Sequence, residues 1–269
     1  MITSSNNAKV KQVVQWQTKA KERRKDHVFL AEGVRMCEEA PVKSVREVYL
    51  TEELEQKLRQ NAQNGDTAFW DKLQQTGYET VSPEVFAKMA DTQTPQGILT
   101  VLEQPSYDLT QLLEQQDPLF LILENLQDPG NLGTMIRTGE GAGITGVIMN
   151  SQTVDIFNPK TIRATMGSIF RVPFVYVPEL SPVLMQMHEK GIHTYAAHLK
   201  GQKYYDSFSF REPTAFLIGN EGNGLTKEIS DQAGQYLKIP MEGKVESLNA
   251  SIAAALLMYE AHRQRSLNS

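Results

Sequence analysis

Cysteine is nearly absent. Cys37 stands alone in 269 residues, which excludes an intrachain disulfide and any metal centre built on clustered cysteines. Histidine offers no substitute: His27, His188, His193, His198 and His262 are scattered without a spacing such as H-x-x-x-H, so no metal is expected. No run approaches ~18 consecutive apolar residues, and the opening stretch MITSSNNAKVKQVV lacks the apolar centre of a secretion signal. A cytoplasmic protein without membrane contact is the expectation. An overall basic excess is also missing, since the formal net charge is -5, and no internal repeat or low-complexity segment is found.

What is present is 40% hydrophobic residues in a chain long enough for two modest domains. The charge is unevenly spread. Lys9, Lys11, Lys19, Lys21, Arg23, Arg24 and Lys25 face only Glu22 and Asp26 in the first 26 residues, a local excess of about five positive charges. Residues 1–26 therefore read as a basic helix or arm with Val10, Val13, Val14 and Trp16 as a weak apolar stripe. It suits either phosphate contacts or an ordinary solvated face.

Residues 27–102 read as a small αβ domain. Strands are expected at 28–31, 45–50, 77–81 and 97–102, with helices over 32–40, over 52–64 and from Ser82. Residues 103–117, with Pro105, Asp108 and a Gln/Glu cluster, read as a linker with a short helix. From 118 to 269 strands and helices alternate: strands 119–124, 146–150, 172–177, 193–199, 214–219 and 236–240, and helices 132–141, 159–169, 181–190, 226–233 and 248–265. The expected fold class is α/β with a mostly parallel sheet covered on both faces.

Three stretches carry chemistry. The first, FLILENLQDPGNLGTMIRTGEGAGITG from Phe120 to Gly146, is an apolar strand, a sharp Asp-Pro-Gly-Asn turn and a helix bearing Arg137 one to two turns in. Asn131 falls where a helix N-cap is expected, and the strand's carboxyl end is the ligand side of an open α/β sheet. Its tail, Gly141 to Gly146, spells G-x-G-x-x-G, but it follows a helix and leads into a strand, the reverse of a dinucleotide loop. This disfavours a nucleotide-dependent oxidoreductase and assigns the glycines to a helix C-cap and turn. The second stretch, Ala215 to Leu225, is a buried strand running into a Gly-rich loop around Glu221, where glycines let backbone approach a flat ligand. The third, Ile239 to Ser251, ends a strand at Pro240 and brings Ser247, read as the N-cap, and Asn249 to the mouth of a small-residue helix. Each feature alone has an ordinary structural reading as cap, turn or solvated side chain.

Together, Asn131 and Arg137 in N-x-G-x-x-x-R, Glu221 in I-G-N-E-G-x-G-L, and Ser247 and Asn249 in I-P-M-x-G-x-x-x-S-L-N-x-S resemble, in order and context, the three motifs of the SpoU/TrmH RNA ribose 2'-O-methyltransferases of the SPOUT superfamily. The resemblance spans roughly residues 118–265, and the stretch from Asn158 through Arg163 to Pro173 fits the family's segment after the second strand. Residues 27–102, with Phe29 to Gly33, look like the ribosomal-protein-like RNA-binding domain that many members carry.

The resemblance implies S-adenosyl-L-methionine as cofactor, held by loops of a deep C-terminal trefoil knot. Those loops would contain Leu199, Gly219, Asn220, Gly222, Ile239, Met241 and Leu248. It implies Asn131, Arg137, Glu221, Ser247 and Asn249 as catalytic residues, with Arg137 at the ribose hydroxyl, and a homodimer. Lys9, Lys21, Arg23, Arg24 and Arg163 are the candidate RNA contacts. Arginine is an awkward base. Either Arg137 is deprotonated in the complex, or it fixes an RNA phosphate and polarises the hydroxyl while another group or water takes the proton. Ribosomal RNA is favoured over transfer RNA because the N-terminal domain resembles folds that bind structured RNA loops. The competing reading is a noncatalytic RNA-binding or ribosome-assembly protein that kept the fold.

Overall fold

Asn7 opens the first helix by accepting a hydrogen bond from the Lys9 backbone N–H. The computed structural model describes residues 1–198, 200–244 and 247–266. Helix α1 (Ala8–Thr18) does not continue to residue 26, because Lys19 is extended (φ -123°, ψ 108°) and the chain restarts as α2 (Ala20–Asp26). The break lets Val10, Val13 and Trp16 bury against Val28, Leu30, Tyr49 and Phe86, and turns Arg23 inward. The basic segment is thus a packed layer of its unit and not a free arm.

The chain goes on through β1 (Val28–Glu32), α3 (Val34–Glu39), β2 (Val45–Thr51), α4 (Glu52–Gln63), α5 (Ala68–Thr76), β3 (Glu79–Val81), α6 (Pro83–Met89) and β4 (Ile98–Glu103). The sheet order is β1-β4-β2-β3, with β4 antiparallel to both neighbours and β2 parallel to β3. Helix α5 is absent from the sequence reading, although Phe69 and Leu73 sit one turn apart and both are buried.

The second half runs α7 (Leu109–Leu113), β5 (Leu119–Leu123), α8 (Pro129–Ala142), β6 (Gly146–Asn150), α9 (Pro159–Thr165), β7 (Phe174–Val177), α10 (Ser181–Glu189), β8 (His193–Ala197), β9 (Lys203–Tyr204), β10 (Thr214–Ile218), α11 (Lys227–Asp231), β11 (Gln235–Lys238) and α12 (Ala250–Ser266). The seven strands are ordered β7-β6-β5-β10-β8-β11-β9, and every pairing among them is parallel. Strands β5, β6 and β10 are buried along their whole length, which is why they read as unbroken apolar runs. The mostly parallel α/β sheet is the one expected.

By contacts, Met1–Pro105 and Asp155–Phe170 form one compact unit, and Ser106–Val154 with Arg171–Ser269 form the other. The expectation of one continuous domain from 118 therefore differs from the structure at residues 155–170. Phe157 and Phe170 pack their rings 5.0 Å and 6.2 Å from Phe29, and Asp155 pairs with Arg23 at 2.6 Å. The helix expected over 159–169 stops at Thr165 because Met166 is left-handed (φ 49°).

Candidate active site

The site in the second unit begins where β5 ends. Asn125 adopts φ 56°, a turn that L-residues other than Asn and Asp rarely make. Its strain is held by a buried partner: Asn150 accepts from the Asn125 N–H at 2.9 Å and donates its amide to the Asn125 side chain at 2.8 Å. The turn aims the backbone N–H groups of Gln127 and Asp128 at one carboxylate, Glu221, at 3.0 and 2.9 Å.

Asn131 is not the N-cap expected from the sequence. Pro129, with its fixed φ, takes the first helical position and Asp128 the cap, so Asn131 lies inside the first turn of α8. Its side chain is thereby released for the site: it donates to Glu221 Oε1 at 3.0 Å and accepts from Asn249 Nδ2 at 3.1 Å. Asn249, and not Ser247, caps α12, because its Oδ1 reaches the N–H groups of Ser251 and Ile252 at 2.9 and 3.4 Å. One polar chain therefore links the α12 cap, Asn249, Asn131, Glu221 and the loop after β5.

Partial burial would push the Glu221 carboxyl up, but the N–H groups of Asp128 and Gln127 and the Asn131 amide outweigh it and hold the pKa below the usual carboxylate value. Arg137 is exposed on α8 and, among the described residues, has no polar partner. The structure thus joins Asn131, Glu221 and Asn249, and leaves Arg137 and Ser247 outside that chain of hydrogen bonds.

Beside Glu221 lies a cavity of about 340 Å³. Six of the residues expected at the cofactor, Gly219, Asn220, Gly222, Ile239, Met241 and Leu248, line it together with Glu221 and Ser247. Leu199 lies outside the described residues. Asn220 serves the loop itself, accepting from the N–H groups of Gly222 and Asn223 at 2.9 and 3.0 Å and donating to the Asn125 carbonyl at 2.9 Å. The volume is that of a small-molecule pocket. Much of its wall is glycine and aliphatic residues, including Ile218, Leu225, Ala250 and Ala253, which fits the flat, neutral nucleoside of S-adenosylmethionine.

Gly219 admits no side chain. A Cβ there would be driven into the carbonyl carbon of Gly224 and the nitrogen of Leu225, both backbone atoms of the loop that closes on it through Asn220. Gly219→Ala is expected to lower the melting temperature and abolish measurable binding of S-adenosylmethionine in calorimetry.

Sequence reasoning missed several supports. Glu124, buried at 4%, accepts from the N–H and hydroxyl of Thr226 at 2.8 and 2.7 Å, so it ties β5 to the start of α11. Asn125, Asn150, His198 and Lys238 were likewise not singled out; the polar residues directly after the apolar run of β5 were the available signal for Glu124 and Asn125.

In the first unit, Lys21 and Arg24 are exposed. Lys9 pairs with Glu79, and Arg163 with Asp91. Arg23 corrects its reading as an RNA contact: it is 3% exposed and donates to the Trp16 carbonyl and to Asp155, both at 2.6 Å.

Residues 118–259 match the SpoU rRNA Methylase family, and residues 7–100 match the MRM3-like substrate binding domain. The chain is 33% identical over 261 residues to the 23S rRNA (guanosine(2553)-2'-O)-methyltransferase RlmP of Bacillus subtilis, covering 96% of this chain and 97% of the relative. Its structure resembles an AdoMet-bound rRNA methyltransferase from Sinorhizobium meliloti, with TM-score 0.84, 29% identity and 97% of each chain covered. It also resembles the SpoU methyltransferase AviRb from Streptomyces viridochromogenes, with TM-score 0.82, 28% identity, and 97% of this chain and 99% of the other covered.

Fold, site and likeness together define a methyltransferase of RNA that uses S-adenosylmethionine. Within that class, the chain belongs to the SpoU rRNA methylase family. Among the described residues no group of His, Cys, Asp and Glu could hold a metal, and no helix is long and apolar enough to cross a membrane.

Proposed function

We propose that this protein methylates a ribose 2'-OH in ribosomal RNA, of the 23S type that its Bacillus subtilis relative is named for. The observation that carries the reading is the hydrogen-bond chain from Asn249 through Asn131 to Glu221, built beside a glycine-walled cavity on the same sheet edge. S-adenosylmethionine, when bound, supplies the electrophilic methyl group. Gly219, Gly222, Ile239, Met241 and Leu248 would hold its nucleoside.

Arg137 meets the RNA. A guanidinium is a donor only, so its role is to fix a phosphate and polarise the 2'-OH, while water or another group accepts the proton lost as the O–C bond forms. Glu221 and Asn131 keep the first turn of α8, and with it Arg137, in register with the cavity. Positioning of this kind can contribute roughly 7–11 kcal/mol to a bimolecular step.

The strand order supports the C-terminal knot: β10 lies between β5 and β8, and β11 returns beyond β8, so the chain re-enters the middle of its own sheet. Helix α12 supports a homodimer, with Ile252, Leu256 and Tyr259 exposed at 50%, 36% and 49% along one side. Residues 7–100 serve as the RNA-binding part, with Lys21 and Arg24 among their exposed cations, and the setting we propose is the cytoplasm.

The test is transfer of radiolabelled methyl from S-adenosylmethionine to total ribosomal and transfer RNA from cells lacking the protein. Label in the large ribosomal RNA, with one linkage made resistant to alkaline cleavage, is the expected result. Label confined to transfer RNA would overturn the substrate, and absence of cofactor binding would favour a noncatalytic RNA-binding protein.

A further inference from the structure

Two side chains in the wall of the cavity have no part in the reading above. His198 and Lys238 are its only basic lining residues among those described. They come from hydrogen-bonded neighbours: His198 follows β8, Lys238 ends β11, and the His198 N–H donates to the Leu237 carbonyl at 3.0 Å. The register that pairs Leu237 with Ala197 brings these next two residues opposite one another, so their side chains leave the same face.

The imidazole is held in place. Its ring stacks on Tyr236 with centroids 4.8 Å apart and planes 18° from parallel, and the Tyr236 hydroxyl donates to Asp231 at 3.0 Å. Its Nδ1 accepts from the Lys200 N–H at 3.0 Å, so in the neutral ring the proton is on Nε2. No described residue accepts from that Nε2–H. Lys238 has no described carboxylate partner either, because Asp231, the acidic group at this end of β11, is taken by Lys227 and Tyr236.

The other polar side chains of the wall are either committed, as Asn220 and Glu221 are, or neutral, as Asn223 and Ser247 are. Asn220 serves its own loop, and both oxygens of Glu221 accept from the loop after β5 and from Asn131. The cavity therefore carries a carboxylate at the end of β10 and uncommitted basic donors at the ends of β8 and β11. S-adenosylmethionine has a neutral nucleoside, cationic sulfonium and ammonium groups, and one anion, its amino-acid carboxylate.

We infer that His198 and Lys238 form the subsite for the cofactor's amino-acid carboxylate, with His198 donating from Nε2 and Lys238 supplying the charge. The inference rests on the cofactor reading of the cavity. It makes the pair a device for selecting the intact amino-acid cofactor over nucleosides of the same ring system that lack the carboxylate.

The experiment is isothermal calorimetry on the full chain with S-adenosylmethionine and with decarboxylated S-adenosylmethionine, which keeps the sulfonium and ammonium groups. The wild type is expected to prefer the intact cofactor by about tenfold or more. His198→Ala combined with Lys238→Met should remove that preference by weakening S-adenosylmethionine alone. Retained binding of the decarboxylated compound shows that the pocket is still folded. Equal weakening of both ligands, or no change for S-adenosylmethionine, overturns the subsite. Failure of the wild type to bind either ligand overturns the cofactor reading itself, a result visible before any variant is made.

Discussion

Arg137→Ala is expected to lower methyl transfer by about 10²–10⁴-fold, the range for loss of a group that handles the proton or its alcohol in the transition state. Binding of S-adenosylmethionine should survive, because Arg137 does not line the cavity. The residue is exposed on α8, so the fold should survive as well. Arg137→Lys is expected to fall near the alanine variant, since an ammonium cannot reproduce the planar fork that grips a phosphate in two places. Single-turnover assays with calorimetry alongside check both statements. Substantial activity in the lysine variant would show that charge alone suffices, and weakened cofactor binding in the alanine variant would place Arg137 in the pocket instead.

Glu221→Gln is expected to cost about 10²-fold in rate, through misplacement of the first turn of α8 and not through loss of a reacting group. Glu221 receives three donors: the N–H groups of Gln127 and Asp128 and the Asn131 amide. Glutamine replaces one acceptor oxygen with a donor, so at least one pair becomes donor against donor. Asn131 then loses its anchor between Glu221 and Asn249, and Arg137, on the same helix, loses its register. A normal Kd for S-adenosylmethionine with a reduced single-turnover rate is the expected pattern.

The same carboxylate sets a pH dependence. Because the folded state holds the Glu221 pKa below its ordinary value, its contribution to stability is fully present above the unfolded-state carboxylate pKa. It is lost as pH falls through the lowered folded value. The melting-temperature difference between wild type and Glu221→Gln should therefore be constant through neutral pH and shrink only below about pH 4, near the reference carboxylate pKa. A difference that changed between pH 6 and 8 would assign it to another group.

Much of the second unit was legible because its central strands are buried on both faces. Strands such as Phe120 to Leu123 and Ala215 to Ile218 have no polar alternation to disguise them, and the turns between elements carry Pro and Gly where the backbone needs them. Boundaries were less legible where two residues competed for one local job. Asn131 and Asp128 could both cap α8, and Pro129 decided for Asp128. Ser247 and Asn249 could both cap α12, and the reach of the Asn249 amide to Ser251 and Ile252 decided for Asn249. In each case a composition rule named a suitable residue type but not the backbone position.

The basic N-terminal stretch shows the opposite failure. Lys21, Arg23 and Arg24 are equivalent by charge, yet two are exposed and Arg23 is buried on Asp155, a partner 132 residues away. Periodicity over seven residues is too short to separate an inward from an outward arginine. Residues 155–170 packed with the N-terminal unit for a related reason: Phe157 and Phe170 meet Phe29, and no local pattern announces a contact so distant in the chain.

By itself the sequence determined the α/β class, the three motif stretches and the residue types of the site, because strand burial, turn chemistry and motif order are local properties. Only the tertiary structure decided that Glu221, Asn131 and Asn249, from three separate segments, share hydrogen bonds. It also decided that His198 and Lys238 face one cavity. Such convergence depends on strand order and register, β10 between β5 and β8 and β11 beside β8, and these are set by which buried surfaces pack together. Spacing along the chain does not encode that choice.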